Sequence, residues 1–200
     1  IYRGVFLLLL IFLLYSICHS WVFHLEKRSK KYMSIKITIT GPESSGKTTL
    51  ANSLAKIYSC NIVKEFARKY LNNLNRQYEY RDLLKIAKKQ FAEEQKLEAL
   101  AKKILICDTA IHTIKIWSLE KFNKCDPWIR KTKENYTHYL LCSPDIPWEK
   151  DPLRENPKDR ERIFTLYLNE LKKKPLTIIS GTPLERVTQA QKVINRYIIS

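Results

Sequence analysis

A glycine-bounded loop lying between a strand and a helix leaves this chain very few folds. The loop is Gly41-Pro42-Glu43-Ser44-Ser45-Gly46-Lys47-Thr48-Thr49, which matches the phosphate-binding pattern G-x-x-x-x-G-K-[ST]. Before it, Ile35-Lys36-Ile37-Thr38-Ile39-Thr40 is β-branched and alternates apolar with polar, the period of a short strand. After it, the apolar residues of 49–56 fall at helical spacing. The physical reading is electrostatic. Gly41 and Gly46 let the backbone turn tightly with its N–H groups inward, and the following helix adds the positive end of its dipole. Lys47 can then reach β- and γ-phosphates, and the Thr48 hydroxyl can join the coordination of Mg2+. A Gly/Ser-rich turn that binds nothing would not require Lys and Thr directly after its second glycine.

Beyond the loop, strand-like and helix-like segments alternate. Strands are expected at 35–40, 61–64, 104–107, 136–142 and 176–179, the third being an unbroken apolar run that stops at Asp108. Helices are expected at 49–56, 80–102, 110–122, 160–173 and 184–197. The longest carries an apolar stripe of Leu83, Leu84, Ile86, Ala87, Phe91, Leu97 and Leu100. Such alternation implies an α/β, three-layer architecture, a five-stranded parallel sheet covered by helices on both faces. Ligands of such sheets bind beyond the carboxyl ends of the strands. Gly41, Glu65, Asp108, residues 143–148 and Ser180-Gly181 all fall at those ends, so one site built from all five strands is expected.

Composition adds bounds. Two hundred residues suffice for one domain with a sizeable core. The net charge of +16 suits anionic partners, but the bases are spread over Lys-rich helices rather than gathered in a block, so nucleic acid is not expected as a partner. Five scattered cysteines without a C-x-x-C pair fit buried thiols in a reducing compartment rather than a disulfide frame or a metal site. Residues 5–25 are almost wholly apolar and are followed by Lys27-Arg28-Ser29-Lys30-Lys31. That run is long enough to span a bilayer with the basic cluster on the cytoplasmic side. The chain begins with Ile, however, and its only methionine is Met33, so 1–32 reads equally as upstream sequence joined by a wrong start. The expected organisation is a hydrophobic segment at 1–32 and a catalytic domain at 33–200. The expected location is the cytoplasm, at the inner face of a membrane only if 5–25 is a true span.

Asp108, closing an apolar strand, has the position of an acid that holds Mg2+ through water or through Thr48; it is equally placed to cap the next helix. Phosphoryl transfer spreads negative charge over equatorial oxygens, so it needs positioned cations more than strong bases. The segment Asp151-Pro152-Leu153-Arg154-Glu155-Asn156-Pro157-Lys158-Asp159-Arg160-Glu161-Arg162 offers three arginines beside a Pro-bounded loop. It reads as an arginine-bearing lid over the γ-phosphate, with Arg154 in the catalytic role, or as a surface loop with i,i+4 pairs.

Taken together, G-P-E-S-S-G-K-T-T, K-E-F-A-R-K-Y-L, D-L-L-K-I-A-K-K-Q, I-C-D-T with I-K-I-W-S, and S-P-D-I-P-W-E-K-D-P-L-R-E-N-P resemble the nicotinamide riboside kinase domain of NadR-type P-loop proteins. The similarity runs from about Met33 to the C-terminus, and P-D-I-P-W-E-x-D-P-L-R is its most particular motif. The resemblance implies a P-loop NTPase fold, ATP and Mg2+, and phosphorylation of the ribose 5′-hydroxyl of nicotinamide riboside to the mononucleotide that feeds NAD synthesis. On it, residues 41–49 would hold ATP, Thr48 and Asp108 the metal, and Lys47, Glu65, Asp108 and Arg154 would form the catalytic set. Glu65, Arg68, Asp145, Trp148 and Asp151 would flank the riboside, with Trp148 facing a cationic pyridinium or, equally, serving as a core tryptophan.

One departure stands out. Many relatives read D-T-D where this chain has Asp108-Thr109-Ala110, which puts turnover or acceptor preference in question. No H-x-G-H motif of an adenylyltransferase occurs among His19, His24, His112 and His138, so a kinase domain alone is expected. The rival readings are a kinase for another nucleoside and a non-catalytic ATP-binding regulatory module, which would have no need of an acceptor pocket.

Overall fold

Five strands, β1 (Ile35–Thr40), β2 (Asn61–Val63), β3 (Ile104–Asp108), β4 (His138–Cys142) and β5 (Leu176–Ile179), pair in parallel in the order β2-β3-β1-β4-β5. The computed structural model describes residues 34–154 and 158–199. The membrane span expected at 5–25 lies outside them. Among the described residues, no helix is long and apolar enough to cross a membrane.

Among the described residues six helices connect the strands and a seventh follows β5: α1 (Lys47–Ile57), α2 (Phe66–Asn72), α3 (Tyr80–Leu100), α4 (Ile111–Phe122), α5 (Pro127–Lys131), α6 (Arg160–Leu171) and α7 (Pro183–Ile199). On one face, Leu50, Ala51 and Leu54 of α1 and Ala190, Val193 and Ile194 of α7 pack with Ile37, Ile39, Ile106, Leu140, Cys142 and Ile179. Core clusters on the opposite side join α3, α4 and α6 to the sheet through Leu105, Cys107, Leu141, Ile163, Tyr167 and Leu171. With both faces covered, the fold is the three-layer α/β architecture that strand–helix alternation implied. β1 lies between β3 and β4, so the chain leaving it turns at a topological switch point, where α/β sheets open a crevice.

Double coverage changes what the alternation in β1 means. Ile37 and Ile39 enter the apolar cluster with α1, while Lys36, Thr38 and Thr40 are also buried, on the opposite side of the strand. A lysine can be buried only with partners. Lys36 donates to Glu94 at 3.0 Å and Glu98 at 2.9 Å, both on α3, and also to Asn135. Glu94 is in turn held by the Tyr136 hydroxyl.

Boundaries differ from the sequence expectation for identifiable reasons. β2 stops at Val63 because it pairs on one side only and Glu65 is already the N-cap of α2. β4 begins at His138 rather than 136, since Tyr136 turns its hydroxyl to Glu94. The long helix ends at Leu100, where Ala101 turns to extended backbone. Two short helices were not expected. α5 carries a legible start signal, because Asp126 accepts the Trp128 N–H at 2.8 Å and Pro127 occupies the first turn.

Candidate active site

β1 delivers the chain to Gly41, whose φ of 137° suits glycine alone; a Cβ there would stand 2.6 Å from the Cys142 carbonyl oxygen of β4. The loop regains helical geometry through Ser44 (φ 52°) and Gly46 (φ 75°), both left-handed, and α1 starts at Lys47. The first turn of α1 has no acidic residue, and its leading N–H groups lack intrahelical partners. That end of the helix is a ready anion seat.

Side chains brace the loop from behind. The Ser45 hydroxyl and the Lys47 ammonium both donate to the Pro42 carbonyl, at 2.8 Å and 2.6 Å. Arg186 of α7, 3% exposed, donates to the carbonyls of Ser45 (3.0 Å), Gly181 (2.7 Å) and Ser143 (3.1 Å) and pairs with Asp145. One guanidinium thus ties the loop to the ends of β4 and β5. No sequence motif pointed to it.

Thr48, one residue into α1, donates its hydroxyl to Asp108 Oδ2 at 2.7 Å. The other oxygen, Oδ1, is buried without a hydrogen-bond partner. Burial pushes the Asp108 carboxyl up, opposed by the Thr48 hydrogen bond and the Lys47 charge. A buried carboxylate oxygen with no donor, beside a hydroxyl, is a donor set suited to a hard cation. Among the described residues no group of three His, Cys, Asp or Glu could hold a metal unaided. A cation here would therefore draw further oxygens from a ligand or from water.

In front of the loop opens a cavity of about 160 Å3, lined by residues of the loop together with Glu65, Arg68, Leu71, Thr113, Trp117, Leu153, Arg154 and Tyr167. A second, of about 230 Å3, shares Glu43, Leu71, Trp117, Leu153 and Tyr167 with the first. The two cavities adjoin along these shared side chains and make a cleft with the phosphate loop at one end and Trp117 and Tyr167 on the wall common to both. Glu65 enters it from the end of β2. Burial raises its carboxyl above the ordinary range, Lys47 pulls it down and Asp108 pushes it up again. Arg68 donates to Asp151 Oδ2 at 2.8 Å, while Asp151 Oδ1 accepts the Leu153 N–H at 2.9 Å. These two bonds, the backbone one foremost, hold the Asp151 carboxyl below its usual value.

The segment after β4 is pinned onto the loop at Ser44. Its hydroxyl accepts the Glu149 N–H (2.9 Å) and an Arg154 N–H (3.2 Å), and its carbonyl accepts from Arg160 (3.2 Å). Arg154 and Arg160 also stack over the Trp148 ring, at 5.9 and 5.8 Å from its centroid.

The expected site residues therefore divide. Residues 41–49, Glu65, Arg68 and Arg154 line the cleft, and Asp108 and Asp151 stand behind its wall, hydrogen-bonded to Thr48 and Arg68. Asp145 and Trp148 are not on its wall: Asp145 accepts the Gly181 N–H at 2.6 Å and pairs with Arg186, and Trp148 serves as a platform for two arginines. The aromatic walls are Trp117 and Tyr167, to which sequence reasoning assigned no role. Trp117 lies in the I-K-I-W-S motif; Tyr167 had no distinguishing signal.

Comparison with known proteins gives the family and the fold. The model of an AAA domain family matches residues 36–186, and the chain belongs to that family. Its likeness is to the NadR type. It is 27% identical over 160 residues to the trifunctional NAD biosynthesis/regulator protein NadR of Salmonella typhimurium, covering 75% of this chain and 38% of that protein. The same protein of Escherichia coli gives 26% over 158 residues, with the same coverage. The chain thus spans well under half the length of these curated relatives. A crystal structure of a NadR protein in complex with NR superposes with a TM-score of 0.71 at 21% identity, over 83% of this chain and 52% of that one. The fold is likewise shared with a deoxyadenosine kinase from M. mycoides, at a TM-score of 0.58 and 13% identity over 80% of this chain and 99% of that one.

Proposed function

We propose that this chain is an ATP-dependent kinase that phosphorylates the ribose 5′-hydroxyl of nicotinamide riboside. The observation that carries the reading is the pair of adjoining cavities that brings the phosphate loop, the Thr48–Asp108 pair and aromatic walls able to take an acceptor base together. The choice of acceptor is supported by NadR structures solved in complex with NR and with NAD and AMP-PNP.

ATP would lay its β- and γ-phosphates across the amides of residues 43–48, at the positive end of α1. Lys47 would leave the Pro42 carbonyl and follow the phosphates. Thr48 and Asp108 would hold Mg2+, which when bound neutralises charge between the β- and γ-phosphates. Arg154, tethered at Ser44 beside the loop, would stabilise the charge that spreads over the moving phosphoryl group. Glu65 would orient the attacking hydroxyl and take up its proton, a role that its raised pKa and its place between Lys47 and Arg68 support. Arg68 and Asp151, already joined, would flank the sugar. Trp117 and Tyr167 would close on the base, excluding water from the reacting centre.

The test is phosphoryl transfer from γ-labelled ATP across a panel of nucleosides. Label should appear in nicotinamide mononucleotide, with Glu65→Gln lowering kcat at least about a hundredfold, the usual scale of a lost general base. Preferential labelling of another nucleoside would replace the acceptor. ATP binding with no labelled product from any nucleoside would instead favour a regulatory module.

A further inference from the structure

The N-terminus of α4 is capped from outside its own sequence. Its N-cap residue is Ala110, in the extended conformation usual for that position, with no side chain able to accept from the first turn. The acceptor comes from Glu134, in the connection between α5 and β4, which receives the His112 backbone N–H at 2.9 Å. Both carboxylate oxygens of Glu134 also stand 3.1 Å from His112 Nδ1. On its far side, His112 Nε2 lies 2.8 Å from the Thr40 hydroxyl, the last residue of β1 before the phosphate loop. Thr40 is 3.2 Å from the Thr113 hydroxyl, and Tyr167 hydrogen-bonds to both threonines. Thr113 and Tyr167 line the cleft.

This chain of contacts has a direction. Burial would raise the Glu134 carboxyl, but the imidazole and its hydrogen bonds outweigh burial and hold it below its ordinary value, so it is an acceptor only. Nδ1 of His112 then carries a proton toward the carboxylate, while Nε2 faces the Thr40 hydroxyl on the other side of the ring. The Thr40 hydroxyl thus stands between that ring nitrogen and the Thr113 hydroxyl, with Tyr167 beside both threonines. Tyr139 and Tyr167 pack against the ring at 5.6 and 6.0 Å and prevent it from turning.

We propose that Glu134 and His112 are positioning residues for the acceptor end of the cleft. Glu134 caps α4 in place of the side chain that residue 110 lacks, and His112 sets which way the Thr40, Thr113 and Tyr167 hydroxyls point. The inference rests on the kinase reading only for its functional readout. Neither residue touches the phosphate loop's anion seat, so acceptor recognition and ATP binding should separate.

The experiment compares Glu134→Ala and Glu134→Gln in the full chain. Glu134→Ala should raise KM for the riboside about tenfold, the scale of a hydrogen-bonded wall set loose, leave the Kd for Mg·ATP within about twofold, and lower the thermal midpoint by about 3 °C. Glu134→Gln, which keeps an amide oxygen for the cap, should hold the midpoint and still raise KM. A wild-type KM together with a wild-type midpoint in Glu134→Gln would overturn the proposal, leaving a plain cap. So would a parallel loss of ATP affinity, or no change in KM. Nitrogen-15 spectra of His112 separate this outcome from failure of the kinase reading. Even in a protein that phosphorylates no nucleoside, an Nδ1–H tautomer lost on Glu134→Gln supports the pair, and a tautomer indifferent to that change overturns it.

Discussion

Replacing Arg186 by leucine should destabilise this fold by an amount that the structure lets one work out. Leucine keeps part of the apolar stem but removes the donors held by the carbonyls of Ser45, Gly181 and Ser143. The Ser45 bond is fully buried and the Ser143 bond partly so. A buried acceptor left unsatisfied costs about 1–3 kcal/mol, so these two carbonyls together come to about 3 kcal/mol. Asp145, 35% exposed at its side chain, can turn to water, so little is added for losing that pair. With a urea slope of about 2 kcal/mol per molar, the unfolding midpoint should fall by about 1.5 M. Domain stabilities of about 5–15 kcal/mol leave the variant mostly folded in water, so its affinity for Mg·ATP can be measured, and that too should fall because Ser45 loses its brace. Arg186→Lys should lie between, since an ammonium cannot reproduce the fork that serves several acceptors at once. A midpoint shift below about 0.3 M in the leucine variant would refute the reasoning, since the slope makes that well under 1 kcal/mol.

Other outcomes follow from the same geometry. Gly41→Ala should cost at least about 2 kcal/mol and abolish ATP binding, because its Cβ would meet the Cys142 carbonyl at 2.6 Å in a backbone region that side chains avoid; a stable, ATP-binding variant in denaturation and calorimetry would contradict the loop geometry. Arg154→Ala should lower kcat more than it raises the KM for ATP, and an effect on KM alone would remove its role in the transition state. Burial raises the Glu65 carboxyl, and its ionised form is the competent one, so kcat/KM should fall as pH drops through a limb lying above the ordinary 4.5 of glutamate. Glu65→Gln should remove the part of that limb that belongs to Glu65, and a wild-type profile flat down to pH 4.5 would contradict the assignment.

The sheet and one end of the cleft were legible because their signals are local. An unbroken apolar run ending in Asp108, and a strand passing into a glycine loop, each place a residue at a strand's carboxyl end whatever surrounds it. Thr48 and Asp108 could be paired in advance because the loop and β3 end side by side. The acceptor end was not legible in the same way. Helical spacing puts Trp117 on a face of α4, but whether that face meets the cleft depends on how α4 and α6 pack beyond the strand ends. Asp145 and Trp148 belong to a Pro-bounded loop whose side-chain directions have no period to read, and both turned toward arginines. Arg186 lies 141 residues from Ser45, and only the closed fold brings them together. The alternation in β1 implied a polar face without revealing that α3 and α4 bury it, with Glu94, Glu98 and His112 as the compensating partners.

The central claim, that the amides of the loop and the Lys47 ammonium grip a nucleoside triphosphate, is tested most directly by titrating Mg·ATP into the wild-type chain and Lys47→Ala in a calorimeter. One site per chain, lost or weakened by at least about a hundredfold in the variant while its unfolding midpoint is unchanged, is the predicted result. Absence of heat from the wild type, or equal binding by both proteins, would contradict the account.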